Sequence, residues 1–135
     1  MKVILIRHGA TMGNQEKRYI GITDEALCDT GIEKLLKNVH KDIYPAADKI
    51  YVSPMKRCIQ TAQIIYPGRE AVVVDDLKEC DFGRFEGKNY IELSGDSYYQ
   101  KWIDSNATLP FPEGEDIKSF QEKMYRSIYK NCKTC

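Results

Sequence analysis

Short apolar runs alternate with stretches of helical periodicity over the first half of the chain. Residues 2–6, 49–52 and 71–74 are mainly apolar and have the length of buried β-strands. Apolar side chains recur at helical spacing between the first two runs, at Ile32, Leu35, Leu36, Val39 and Ile43. Thr30 and Glu33 have the spacing of a capping box, so this helix is predicted to begin at Thr30 and to end before Pro45.

A second helix is predicted directly after the second apolar run. Ser53 and Pro54 supply an N-cap residue and a proline suited to the first helical position. The helical pattern continues to residue 64 or 65, where Pro67 and Gly68 follow and stop it.

The order of these elements predicts the fold class. Strand, helix, strand, helix and strand imply right-handed crossovers and a mostly parallel sheet covered by helices, a three-layer α/β/α fold. Residues 75–87 are predicted as a loop, and helices are predicted at 89–93, 98–104 and 116–130. The last helix carries one apolar stripe, formed by Ile117, Phe120, Met124 and Ile128. Trp102 is predicted to pack in the core.

Length and charge narrow the classes of function. The chain has 135 residues, which suits one domain spanning residues 1–135. Its 20 Lys and Arg residues balance its 20 Asp and Glu residues, so the overall charge attracts neither nucleic acid nor an anionic membrane. The first apolar run is too short for a membrane span or a secretory signal. We therefore predict a cytoplasmic protein with no nucleic-acid or membrane partner.

The cysteines suit a reducing compartment better than a disulfide framework, because they are five in number and scattered. Cys132 and Cys135 form a Cys-x-x-Cys pair, for which a frayed tail is favoured over a zinc or redox site. The sequence shows no zinc or calcium ligand spacing and no phosphate-binding glycine-rich loop. No metal and no cofactor are predicted.

Side chains suited to phosphoryl chemistry follow each of the three predicted strands. Arg7 and His8 follow the first, Arg57 lies in the first turn of the helix after the second, and Glu79 follows the third. Parallel strands place these ends at one edge of the sheet, where open α/β sheets bind ligands. The two guanidinium groups can each engage two oxygens of a phosphate monoester. We therefore expect the four side chains to converge on a phosphate.

The same residues suggest a reaction. A neutral His8 can attack phosphorus through one ring nitrogen if the other donates its proton to a fixed acceptor, for which a backbone carbonyl in the Gly9 loop is predicted. Glu79 could then protonate the leaving alkoxide and later activate water, help that is typically worth about 10²–10⁴ in rate. Taken alone, however, Arg-His-Gly recurs by chance, and Glu79 could equally be a solvated loop acid beside Asp75 and Asp76.

Four ordered segments between Lys2 and about Ile128 resemble the histidine phosphatase superfamily, also called the phosphoglycerate mutase-like family. They are Arg7-His8-Gly9-Ala10-Thr11 with Asn14, Gly21-Ile22-Thr23-Asp24-Glu25-Ala26-Leu27 running into Thr30-Gly31, Ser53-Pro54-Met55-Lys56-Arg57 with Thr61-Ala62, and the segment 77–87 around Glu79. The resemblance implies a phosphoglycerate mutase-like fold.

The resemblance also implies roles for individual residues. It makes His8 the nucleophile, Arg7 and Arg57 the phosphate-binding arginines, and Glu79 the proton donor. Asn14 would be a further phosphate ligand, and Gly21 a weaker candidate for a backbone contact near the substrate. Glu86 is expected to belong to a structural turn.

The resemblance favours a phosphatase over a mutase. The connection after Gly87 is short, and Phe82-Gly83-x-Phe85-Glu86-Gly87, Trp102 and Pro112-Glu113-Gly114-Glu115-Asp116 look most like the small α-ribazole phosphatases. A phosphomonoesterase acting on a small phosphorylated metabolite is therefore the leading hypothesis, with α-ribazole 5'-phosphate as one candidate. A phosphoglycerate mutase and a non-catalytic phosphate-binding homologue are the alternatives.

One departure from the family pattern concerns the C-terminal strand. The family carries a second His-Gly on a strand beyond the last helix, and this sequence shows neither, so the fold is expected to lack C-terminal strands. The other histidine, His40, is expected on the surface of the first long helix and not in the missing role. An uncovered apolar edge on the first strand would favour a homodimer or domain swap.

Overall fold

The computed structural model of the protein describes residues 2–133, so Cys135 of the Cys-x-x-Cys pair lies outside the described residues. Two β-strands and six α-helices follow in the order α1 Met12–Gln15, α2 Asp29–His40, β1 Tyr51–Val52, α3 Lys56–Ile65, β2 Val72–Val73, α4 Tyr90–Leu93, α5 Ser97–Asp104 and α6 Ile117–Lys133. Short 3₁₀ turns lie at Asp75–Leu77 and Gly83–Phe85. No helix among these is long and apolar enough to cross a membrane.

The two strands form a parallel pair joined by α3. Tyr51 is opposite Val72, and Val52 is opposite Val73. The Val72 and Val74 N–H groups donate to the carbonyls of Ile50 and Val52, both over 2.8 Å. This arrangement confirms the predicted parallel β-α-β unit and the α/β class, with shorter strands than the apolar runs suggested.

The prediction of a first strand at residues 2–6 is wrong for the described chain. The segment takes no part in the two-stranded ladder, and none of its backbone groups bonds to β1 or β2. A strand needs a neighbour that exchanges hydrogen bonds with it. Its side chains are accordingly uncovered, with Leu5 79% exposed and Val3 51% exposed.

Self-association through this apolar segment stays a prediction. If a second copy covers the segment, the change Leu5→Asp should shift the protein toward the monomer, because a carboxylate would be desolvated in the contact. Light scattering across a concentration series measures this change. Equal masses for the unmodified chain and the variant at every concentration would rule out a contact through Leu5.

The starts of the two long helices differ from the sequence expectation. Thr30 does not cap α2, which begins at Asp29; its hydroxyl instead accepts from the Gln15 side chain. Ser53 does not cap α3, which begins at Lys56, and the Lys56 N–H donates to Asp24 Oδ1 over 2.8 Å. At α3, a carboxylate from a distant segment thus replaces the local cap, and the residue spacing near the helix does not indicate such a partner.

The hydrophobic core lies mainly under the C-terminal half. Its buried members are Cys80, Phe85, Leu93, Tyr99, Trp102 and Phe111. The Phe85 ring meets three of its aromatic neighbours edge to face, for example Tyr99 with centroids 5.3 Å apart, a geometry that aromatic pairs prefer. The predicted packing role of Trp102 is confirmed. Leu27, Leu35 and Ile65 form a second, smaller cluster between α2 and α3.

Candidate active site

The ring of His8 is held by its own loop. Its Nδ1 donates to the Gly9 carbonyl over 2.7 Å, since that oxygen can only accept, and this fixes the proton on Nδ1. The Nε2 lone pair is therefore available to attack an electrophile. The predicted acceptor in the Gly9 loop is confirmed.

Burial lowers the pKa of His8 below its ordinary value of 6.5, and this is the largest effect on the ring. The hydrogen bond to Gly9 raises the pKa, the positive charges of Arg57 and Arg7 lower it, and the negative charge of Glu79 raises it. The net result is a lowered pKa, so the ring is neutral at neutral pH. The same interactions show that Arg7, Arg57 and Glu79 all lie within electrostatic range of His8.

This lowered pKa gives a pH prediction. If His8 is the nucleophile, as the resemblance implies, attack needs the neutral ring, and the acid limb of phosphoenzyme formation should lie below pH 6.5. The folded pKa lies below the unfolded one, so the contribution of His8 to stability should be complete above pH 6.5 and fall as the pH drops through the folded pKa. An NMR titration of the His8 ring nitrogens measures the midpoint directly. A midpoint above 6.5 would contradict the prediction.

Thr61 joins the His8 loop to α3. The Gly9 N–H donates to Thr61 Oγ1 over 3.0 Å, and that hydroxyl donates to the Arg57 carbonyl over 2.7 Å. Because Thr61 is 5% exposed, this chain of bonds is shielded from water. Sequence reasoning gave Thr61 no role, although it lies one helical turn after Arg57 and could have been found from that spacing.

Arg57 is buried, with 1% of its surface exposed. Its Nη1 donates to the Thr23 carbonyl over 2.8 Å, and its Nη2 donates to the Gly21 carbonyl over 2.7 Å. Its Nε is also buried and has no hydrogen-bond partner among the described residues. A buried donor without a partner costs free energy, which an anion placed there would recover.

Asn14 and Arg7 contribute further donors. The Asn14 side-chain oxygen accepts from the Thr11 N–H over 3.0 Å, and the Asn14 N–H donates to Thr11 Oγ1 over 3.2 Å, so Asn14 is fixed by a capping box. Its amide nitrogen makes no hydrogen bond within residues 2–133, nor does the exposed guanidinium group of Arg7. Both are therefore free to bind a ligand.

Gly21 lies where a loop of residues 21–24, the Gly21 loop, meets a loop of residues 79–86, the Glu79 loop. The Gly21 N–H donates to Glu86, and its carbonyl accepts from Arg57. Both backbone groups of Gly21 are thus engaged, the carbonyl with Arg57 and the N–H with Glu86, and a direct substrate contact of Gly21 stays a prediction. The Glu86 carboxylate also accepts from the Ile22 and Phe82 N–H groups, in keeping with its expected structural role.

The change Gly21→Ala should destabilise the fold by about 3 kcal/mol, because overpacking against an immobile group is costly. A Cβ at this position would lie 2.0 Å from the Cys80 carbonyl oxygen and 2.5 Å from Glu86 Oε1. Urea denaturation measures the loss. Gly95→Ala is the control, since a Cβ there meets nothing within 4 Å, and equal midpoints for the two variants would contradict the prediction.

Glu79 is exposed at the start of its loop, and its Oε1 accepts from the Cys80 N–H over 2.9 Å. The negative charge of Glu79 raises the pKa of His8, the smallest of the effects on that ring. His40, by contrast, is the exposed last residue of α2. A cavity of about 480 Å³ is lined by Ile22, Thr23 and parts of the Glu79 loop, and its lining does not include His8, Arg7 or Arg57.

Among residues 2–133, no group of three or more His, Cys, Asp or Glu side chains could hold a metal ion. The His8 imidazole instead interacts electrostatically with the side chains of Arg7, Arg57 and Glu79. Asn14 as a phosphate ligand stays a prediction. The parallel α/β scaffold and this set of groups define a protein of the phosphoglycerate mutase-like fold class. A family model for the histidine phosphatase superfamily (branch 1) matches residues 3–134, and the chain belongs to that superfamily.

Known relatives carry both phosphatase and mutase names. The chain is 28% identical to the adenosylcobalamin/alpha-ribazole phosphatase of Escherichia coli, over 95% of this chain and 65% of that protein. It is 30% identical to a 2,3-bisphosphoglycerate-dependent phosphoglycerate mutase of Porphyromonas gingivalis, over 94% and 56%. The crystal structure of the alpha-ribazole phosphatase from Shigella flexneri superimposes with a TM-score of 0.79 at 26% identity, over 96% and 66%. The chain thus spans 56% to 65% of these curated relatives.

Proposed function

We propose that the protein hydrolyses a small phosphomonoester through a phosphohistidine at His8. The observation that carries the proposal is the buried Arg57, whose unpartnered Nε lies within electrostatic range of a neutral His8 with a free Nε2. This set of groups suits a phosphate, because guanidinium groups can bind its oxygens and the imidazole can attack its phosphorus. Arg7 and the Asn14 amide would supply the remaining donors.

The reaction proceeds in two balanced steps. His8 Nε2 forms a bond to phosphorus while the ester P–O bond breaks, and Glu79 gives its proton to the departing alkoxide. Glu79 then takes a proton from water, the water oxygen attacks phosphorus, and the P–N bond breaks to release phosphate.

α-Ribazole 5'-phosphate is the first substrate to test. Support comes from the Escherichia coli and Shigella flexneri relatives, both named as α-ribazole phosphatases. A mutase is the second candidate, supported by the 30% identity to the Porphyromonas gingivalis mutase.

The test is to incubate the chain with ³²P-labelled α-ribazole 5'-phosphate or with labelled 3-phosphoglycerate. Hydrolysis predicts acid-labile label on the protein followed by free phosphate. Isomerised phosphoglycerate in excess of free phosphate would favour the mutase instead. Reversible binding of inorganic phosphate with neither label nor turnover would mean a non-catalytic phosphate-binding homologue and would contradict the proposed function.

A further inference from the structure

Glu115 holds Asp81, two residues after Glu79, from both sides of the Asp81 backbone. The Asp81 N–H donates to Glu115 Oε2 over 2.9 Å, and the Glu115 N–H donates to the Asp81 carbonyl over 2.9 Å. Both backbone groups of one residue are thus bound to one partner, which fixes the position of that residue more strictly than a single hydrogen bond does.

Lys123 of α6 anchors the other oxygen of the same carboxylate. Its Nζ lies 2.6 Å from Glu115 Oε1, and both side chains are only about one third exposed, at 34% and 32%. Partial burial opposes ionisation of Glu115, but the bonds from Lys123 and the Asp81 N–H outweigh it and lower the pKa of the carboxyl. Glu115 is therefore an ionised acceptor that joins α6 to the Glu79 loop.

Cys80 adds a further contact to Asp81. The residue is buried, and burial raises the pKa of its thiol to about 12, so the thiol stays protonated and donates to the Asp81 carbonyl over 3.9 Å. On the opposite side, the Cys80 carbonyl packs so tightly against Gly21 that no Cβ would fit there. Cys80 thus contacts the Gly21 loop through its carbonyl and, through its thiol, Asp81, the residue that Glu115 holds.

A second contact joins the Glu79 loop to the turn at residues 112–115, which carries Glu115. The Arg84 N–H donates to the Pro112 carbonyl over 2.8 Å. A Cβ on Gly83 would lie 2.2 Å from that same carbonyl oxygen and 2.5 Å from the Gly114 nitrogen. The Glu79 loop therefore moves only if the turn that carries Glu115 moves with it.

The orientation of Glu79 follows from this arrangement. Its carboxylate is held in the structure by the Cys80 N–H, and Cys80 is followed directly by the residue that Glu115 holds. We propose that Glu115 and Lys123 are positioning residues that aim the Glu79 carboxyl group at the departing ester oxygen. The inference rests on the proposed function, in which Glu79 is the proton donor.

Leaving-group dependence separates positioning from a merely structural role. An alkoxide is a strong base and must be protonated as it leaves, whereas nitrophenolate is a weak base and can leave without a proton. A misplaced Glu79 should therefore slow an alkyl phosphate much more than p-nitrophenyl phosphate. A loss of folded protein would lower both rates by the same factor.

The experiment measures kcat on α-ribazole 5'-phosphate and on p-nitrophenyl phosphate for a set of variants. Glu79→Gln should lower the rate on the alkyl ester by about 10²–10⁴-fold. Glu115→Ala should lower it by about 10²-fold, the cost of a misplacement near 1 Å, and should affect the aryl ester much less. Lys123→Met should show the same selectivity with a smaller loss, and Lys123→Arg should restore the rate.

Matched controls and alternative outcomes keep the two proposals apart. Glu122→Gln and Lys118→Met, exposed changes on α6, should leave both rates unchanged. Equal losses on the two esters in Lys123→Met and Glu115→Ala, beside a selective loss in Glu79→Gln, would overturn the inference and leave the proposed function standing. An unselective Glu79→Gln, or no turnover by the unmodified chain, would overturn both.

Discussion

Replacing His8 with alanine is expected to abolish both the acid-labile label and the release of phosphate, with a loss in rate of about 10⁵-fold or more. The residue is the proposed nucleophile, and the groups that interact electrostatically with it, Arg57, Arg7 and Glu79, have other roles in the proposed reaction. The structure prepares the ring for this task, since the Gly9 carbonyl holds the Nδ1 proton and leaves Nε2 free.

The measurement combines labelling with a phosphate-release assay. His40→Ala is the matched control, because it removes the imidazole of an exposed histidine at the end of α2 and should change neither signal. Added imidazole should restore part of the phosphate release in His8→Ala, since a free ring can occupy the space left by the side chain. Label that survives His8→Ala would exclude His8 as the nucleophile.

The sequence indicated candidate residues of the site, but it did not indicate the long-range hydrogen bonds that support them. Arg57 lies in the first helical turn after a parallel strand, as predicted, and parallel strands share one sheet edge for ligands. Arg7 and His8 were selected by the same reasoning, but the segment before them forms no strand among the described residues. The Nδ1 acceptor could be predicted because a histidine in a tight glycine loop has a carbonyl within reach.

The supporting contacts are long-range, and this is why they could not be predicted. Asp24 caps a helix that begins at Lys56, and Glu115 holds Asp81 across more than thirty residues of sequence. Both carboxylates lie in segments that resemble the family, but those segments do not indicate which backbone group each carboxylate binds. The cap predicted at Ser53 failed for this reason, because Asp24 accepts from the first N–H of α3, whereas α2 begins one residue before Thr30 with no side-chain cap.

The first apolar run shows a different limit. Residues 2–6 have the composition of a buried strand, but composition reports only a preference for burial and does not supply the neighbour that would provide it. In the described chain the segment has no such neighbour, and Leu5 is 79% exposed. Hydropathy therefore indicates that a segment favours burial, but it does not identify the strand that would pair with it.

Replacing Arg57 with methionine is expected to lower stability and anion binding together. The change keeps an apolar stem but leaves the carbonyls of Gly21 and Thr23 without their donor. Each buried acceptor left unpaired costs about 1–3 kcal/mol, so the free energy of unfolding should fall by about 2–6 kcal/mol. Arg57→Lys should rescue only part of the loss, because a single ammonium group cannot reproduce the planar fork.

Arg7→Met separates the two roles of the arginines. The Arg7 side chain is exposed and makes no hydrogen bond within the described residues, so its loss should weaken phosphate binding with little change in stability. Calorimetric titration with inorganic phosphate and urea denaturation measure the two quantities for both variants. Arg126→Met, an exposed change on α6, serves as the control and should alter neither. If Arg57→Met and Arg7→Met both bind phosphate as tightly as the unmodified chain, the two guanidinium groups do not share one anion and the proposed site is wrong.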